Sequence, residues 1–128
     1  MNTRNHLILA IRGEQLGDIQ TETVYEEIFQ NKILRPILKF QNNLLLDVLR
    51  NHIQKHHKNF EGLTVERKIS YIESAVQKDI KFRNSLKGFV LGLLTQEEYQ
   101  DYIKNSSQLN KRMMNLILER YISQVQII

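Results

Sequence analysis

The chain has 128 residues, 18 lysines and arginines against 14 aspartates and glutamates, a formal net charge of +4 and no cysteine. That length suits one domain with a self-sufficient core. The missing thiols exclude disulfides, iron–sulfur clusters and thiolate zinc sites and point to a reducing cytoplasm, while the opening apolar run, Leu7 to Ile11, is too short for a signal-peptide core or a membrane span.

A single proline, five glycines and no alternating β-branched stretch predict an all-α protein, a single-domain bundle of about six to seven helices. The first helix runs from Thr3 to Arg12, with Leu7, Ile8 and Ile11 inward and Gly13 as its stop. After a glycine-containing connector, Thr23 and Glu26 have capping-box spacing, so a second helix starts there and buries Val24, Ile28, Phe29 and Ile33. Pro36 ends or kinks it, because proline lacks the amide that would donate back up the chain and disfavours helical geometry at Arg35.

From Pro36 to about Asn59, Ile37 and Leu38, Leu44 and Leu45, Val48 and Leu49, and Ile53 repeat at helical intervals, the pattern of a central packing helix. Glu61 to Thr64 reads as a turn, and Thr64 caps a helix that carries Val65, Ile69, Ile72 and Val76 on one stripe. The stripe then slips to Phe82, Leu86, Phe89, Val90 and Leu93, which places a break near Lys78 and Asp79, with Asp79 capping the second piece. Gly88 and Gly92, four apart in a helical stretch, predict close approach of another helix backbone to offset their cost of about 1 kcal/mol each relative to alanine. Thr95 and Glu98 form another capping box, opening a short helix with Tyr99, Tyr102 and Ile103 inward. A last helix, from about Ser107 to Gln126, presents Leu109, Met113, Leu116, Ile117 and Tyr121.

Charge is unevenly spread. Residues 1–30 hold two cations and five acids, whereas residues 31–60 hold six cations and one acid. Such asymmetry admits an anionic partner. Nucleic acid is the less favoured one, since the aromatics fall mostly at core spacing and not on a groove-reading face.

Three side-chain groupings carry chemistry. His52 and His56, with His57 beside them, put two imidazoles on one helix face where they could share zinc or nickel. No third ligand follows, the adjacent Lys55 and Lys58 oppose a cation, and a basic helix end near the negative pole of the helix dipole accounts for the residues without a metal. No cofactor fingerprint, phosphate loop or hydrolytic triad is spelled by spacing, so binding is expected ahead of catalysis.

The other two groupings are polar runs inside apolar helix faces. In KDIKFRNSLKG (78–88), Lys81, Arg83 and Lys87 alternate with Phe82 and Leu86, with Asn84 at the margin. In NSSQLNKRMMN (105–115), Asn110, Lys111 and Arg112 interleave with Leu109 and Met113. If the two helices pack side by side, Arg83 and Arg112 form a clamp for a carboxylate or phosphate and the amides set its orientation. The competing arrangement pairs these arginines internally with acids such as Glu73, Asp79, Asp101 or Glu119. The candidate anion site is therefore Lys81, Arg83, Asn84, Lys87, Asn110, Lys111 and Arg112.

These two runs, with EEY (97–99) between them, resemble a family of small helical bacterial proteins, some of which carry the name glyoxalase. The likeness covers much of the chain and is clearest over residues 78–120. Glyoxalases of the vicinal-oxygen-chelate type build a metal centre from histidines and glutamates on paired βαβββ units, which these residues do not spell. The resemblance accordingly implies a small helical fold and not an activity. Two function classes follow: a cytoplasmic binding or adaptor module, alone or as a homodimer, holding an acidic partner or small anionic ligand; and a helical enzyme acting on an anionic metabolite.

Overall fold

Local side-chain chemistry sets most of the helix boundaries. The computed structural model describes residues 2–13 and 25–128, all of its regular structure being helical. Helix α1 spans Thr3–Arg12, α2 Tyr25–Phe29, α3 Arg35–His56, α4 Val65–Lys78, α5 Ile80–Leu91, α6 Gln96–Lys104 and α7 Ser106–Ser123. The Thr64 side chain accepts from the Arg67 amide, and Asp79 ends α4 and opens α5 by accepting from the Phe82 amide, each at 3.2 Å. Thr95 and Glu98 close a full capping box at the start of α6. Each cap satisfies an amide that has no intrahelical partner.

Gly13 ends α1 at φ 75°, a conformation that costs glycine little. The capping box expected at Thr23 lies outside the described residues.

Pro36 does not end the helix it enters. Between α2 and α3 the backbone makes one π turn, Gln30–Leu34, in which the Arg35 amide donates to the Gln30 carbonyl five residues back. The wider turn absorbs the ring and the missing amide, so a helical rod continues from Tyr25 to His56. Leu34, Pro36, Ile37 and Leu38 are buried around it.

The helices share one core, centred on α7, which buries Leu109, Met113, Met114, Leu116, Ile117, Leu118 and Tyr121. Against it pack Leu45, Leu46, Leu49 and Ile53 of α3, Ile72 and Val76 of α4, and Phe82, Leu86 and Val90 of α5. The Tyr121 hydroxyl donates to the Leu45 carbonyl at 2.6 Å in the interior. Burial pushes that phenol well above its ordinary range and keeps it a donor. On α3 the structure selects Leu46 where the repeat selects Leu44, which is 45% exposed.

Two short helices turn faces other than those expected. On α1, Asn5, Ile8 and Arg12 are buried while Leu7 and Ile11 are exposed. The reason is a set of polar ties to the start of α6. Arg12 forms a bidentate pair with Glu98, its second bond measuring 3.0 Å, and Asn5 donates to Glu97 at 2.7 Å. Arg4 donates to the Gly92 and Leu94 carbonyls at 2.8 and 2.9 Å, satisfying the end of α5. On α6 only Tyr102 is buried; Tyr99 and Ile103 are nearly half exposed.

The glycine pair does not mark a close helix approach. A Cβ at Gly88 would meet nothing within 4 Å, and one at Gly92 would meet only the Gly88 carbonyl of its own helix, at 3.2 Å. Gly88 thus gives up helix propensity without a packing return. Gly88→Ala should raise stability by about 0.5–1 kcal/mol, read as a higher urea midpoint at unchanged slope. A lower midpoint would show that the position needs its missing side chain.

Candidate functional site

One face of α7 recurs in polar residues at helical intervals: Gln108, Lys111, Arg112, Asn115, Glu119, Arg120 and Ser123. The opposite face carries the core, so these side chains point away from it, towards the π turn and the start of α3. Two adjoining cavities result. One, of about 320 Å³, is lined by Gln30, Arg35, Gln108, Lys111, Arg112 and Asn115, with Leu116 and Glu119. The other, of about 350 Å³, is lined by Leu38, Arg120, Ser123 and Gln124 and shares Arg35, Leu116 and Glu119 with the first. Together they form a groove with Arg35, Lys111, Arg112 and Arg120 in its walls and Glu119 as its single acid.

Three of the groove's four cations are held by neutral groups. Arg112 donates to Gln30 Oε1 at 3.1 Å, Arg35 Nε to Asn31 Oδ1 at 2.6 Å, and Arg120 to Asn42 Oδ1 at 3.3 Å. Among the described residues none of the four cations is within ion-pair distance of a carboxylate. Burial, and behind it the neighbouring Arg35 charge, push the Arg120 guanidinium below its ordinary value. Two guanidiniums therefore stand close enough to disfavour each other, which an anion between them would relieve.

The expected site residues divide between this groove and other surroundings. Lys111 and Arg112 line it. Asn110 is engaged elsewhere, its side-chain oxygen accepting from the Tyr102 hydroxyl. Lys81, Arg83, Asn84 and Lys87 lie on α5, outside the groove lining. Arg83 is half-buried, and its Nε is buried without a hydrogen-bond partner among the described residues. Neither Arg83 nor Arg112 makes an ion pair with an acid among those residues. Arg35, Gln30 and Arg120 complete the groove without having been anticipated. The eight-residue step from Arg112 to Arg120 along one helix face was visible in the periodicity; the approach of Arg35, which needs the π turn, was not.

A second cluster joins three helices. His52 of α3 lies between Asp79, whose Oδ2 is 3.1 Å from Nε2, and Tyr71 of α4, whose hydroxyl is 3.1 Å from Nδ1. The His52 hydrogen bond and the Phe82 amide hold the Asp79 carboxyl below its ordinary 3.8. With Asp79 ionised, Nε2 donates to it, and in the neutral ring Nδ1 accepts from Tyr71. The rings of His56 and Phe82 lie against His52 in tilted contacts, at ring-centroid distances of 4.5 and 4.2 Å. His52, His56, Tyr71, Ser74, Lys78 and Asp79 line an open hollow of about 400 Å³. Among the described residues no group of three His, Cys, Asp or Glu side chains is placed to hold a metal ion.

A further cavity, of about 560 Å³, runs between the end of α3 and Ile128. Its Arg50 is already paired with Asp47 and donates to the Ile127 carbonyl at 2.7 Å. No described helix is long and apolar enough to cross a membrane.

Fold and site define an all-helical bundle with a basic groove on its last long helix. No family model, curated protein or solved structure matches the chain.

The Asp79 contact has a pH signature. Because the folded carboxyl titrates below its ordinary value, its contribution to stability is complete above about pH 5 and is lost as pH falls through the folded pKa. Asp79→Asn keeps a competent N-cap and removes the charge facing His52. The melting temperature of the wild type should exceed that of the variant at pH 7, and the gap should close towards pH 2. A gap that persists in acid would assign the contribution to shape and not to charge.

Proposed function

We propose that this protein is a cytoplasmic binding module that holds an anionic group, on a small ligand or an acidic partner, in the groove between α7 and the π turn. One observation carries the reading: Arg35 and Arg120 stand side by side, with Lys111 and Arg112 beyond them, and none has a carboxylate partner among the described residues. Fixed guanidiniums held by neutral amides are prepared for a planar carboxylate or a phosphate, to which arginine donates in pairs. Lys81, Arg83 and Lys87, with the neutral Asn84 among them, lie on α5 outside this groove and form no part of the proposed site.

Titration with inorganic pyrophosphate, followed by calorimetry, checks the groove. The double variant Arg112→Ala, Arg120→Ala should weaken binding at least tenfold, the loss expected for one charge-assisted hydrogen bond, and each single substitution should leave the ligand-free melting temperature within a few degrees of wild type. If both substitutions collapse the fold without ligand, the arginines are structural and the reading fails.

The second reading is a helical enzyme acting on an anionic metabolite. It is favoured by the hydroxyl–imidazole–carboxylate order of Tyr71, His52 and Asp79 on an open hollow, an order that suits proton transfer. A lactoylglutathione lyase assay with added zinc or nickel tests it. Activity above background that disappears in His52→Ala would place catalysis ahead of binding.

A further inference from the structure

The groove has two ends, and the ends differ from the middle. At one end Lys111 and Arg112 stand with the amides of Gln30 and Asn115; at the other Arg120 stands with Ser123 and Gln124. Arg112 and Arg120 are eight positions apart on α7, about 12 Å along the axis at 1.5 Å per residue. The two lobes meet at Arg35, Leu116 and Glu119.

Glu119 is the informative residue. An ionised carboxylate only accepts hydrogen bonds, so at the junction it repels an anion and favours a donor. A cationic donor is disfavoured there by Arg35, which lines the junction, and by Arg120 of the adjoining lobe. A neutral hydroxyl satisfies both: it donates to Glu119 and offers its lone pairs to Arg35. Leu116, also at the junction, supplies apolar surface for a carbon backbone.

We infer that the groove takes a small polyol bearing an anionic group at each end, of the sugar bisphosphate type, with its termini on Arg112 and Arg120 and its hydroxyls on Glu119. The inference rests on the anion-groove reading and adds to it the number of anionic groups, their separation and the hydroxylated middle. A single phosphate would occupy one lobe and leave the other's cations unrelieved. A bis-anion without hydroxyls would engage both ends but place bare methylene groups against Glu119.

Calorimetric titration of the full chain with four probes tests each part. Fructose 1,6-bisphosphate should bind at least tenfold more tightly than fructose 6-phosphate or inorganic phosphate, and more tightly than hexane-1,6-diyl bisphosphate, which keeps the two charges and lacks the hydroxyls. Arg112→Ala and Arg120→Ala should each reduce fructose 1,6-bisphosphate to the affinity of fructose 6-phosphate. Glu119→Gln should erase the preference for the hydroxylated bisphosphate over the hydrocarbon one. If the mono- and bisphosphates bind equally, the two-ended ligand is overturned while the anion groove stands. If no probe binds at 10 mM, about the weakest affinity such a titration resolves, the groove reading falls and this inference with it.

Discussion

A proline inside a long helix must be accommodated by the backbone, and much of this structure follows from how that is done. Pro36 has no amide to give to Lys32 and no room for an ordinary turn against the Lys32 carbonyl. Opening one turn to π geometry moves the Arg35 amide back to Gln30 and preserves the rod. The same turn carries Leu34 and Ile37 into the core, both fully buried, and sets Gln30 and Arg35 against α7. Without it α3 would still pack, but the groove would lose one wall.

The two polar clusters are built on different electrostatic principles. In the α3–α4–α5 cluster the central pair is answered: Asp79 by His52 and the Phe82 amide, His52 by Asp79 and Tyr71. In the α7 groove the three guanidiniums are steadied only by neutral amides. The first arrangement fastens helices together, while the second leaves charge available at a cost in repulsion. That contrast separates the two sites more sharply than their similar size.

What could be read from the sequence was what depends on near neighbours in the chain. The caps at Thr64, Asp79 and Thr95 were legible because an N-cap needs only its own side chain and an amide two or three residues on. The inward stripe of α7 was legible because one helix face repeats Leu109, Met113, Leu116, Ile117 and Tyr121. The orientation of α1 was not: Leu7 and Ile11 suggest one inward face, and the acids of α6, some 90 positions away, impose another through Asn5 and Arg12. Tyr99 and Ile103 were misplaced for the same reason, since a nine-residue helix is turned by whatever docks on it. The groove was half legible. Lys111 and Arg112 stood out as a basic run, but Arg35 joins them through a turn that Pro36 marks only as an end or a kink, and the α5 cations belong to another part of the surface.

Glu98 holds two jobs at once, closing the capping box of α6 and receiving Arg12. Its carboxylate thereby links the first helix of the chain to the start of one near its end. During synthesis α1 leaves the ribosome some 86 residues ahead of that carboxylate, a delay of several seconds at about 5–20 residues per second. Through that interval Asn5 and Arg12 lack the α6 carboxylates that hold them in the folded chain. The polar ties of α1 to α6 are thus among the last contacts open to a nascent chain, whereas its packing on α3 is available much earlier.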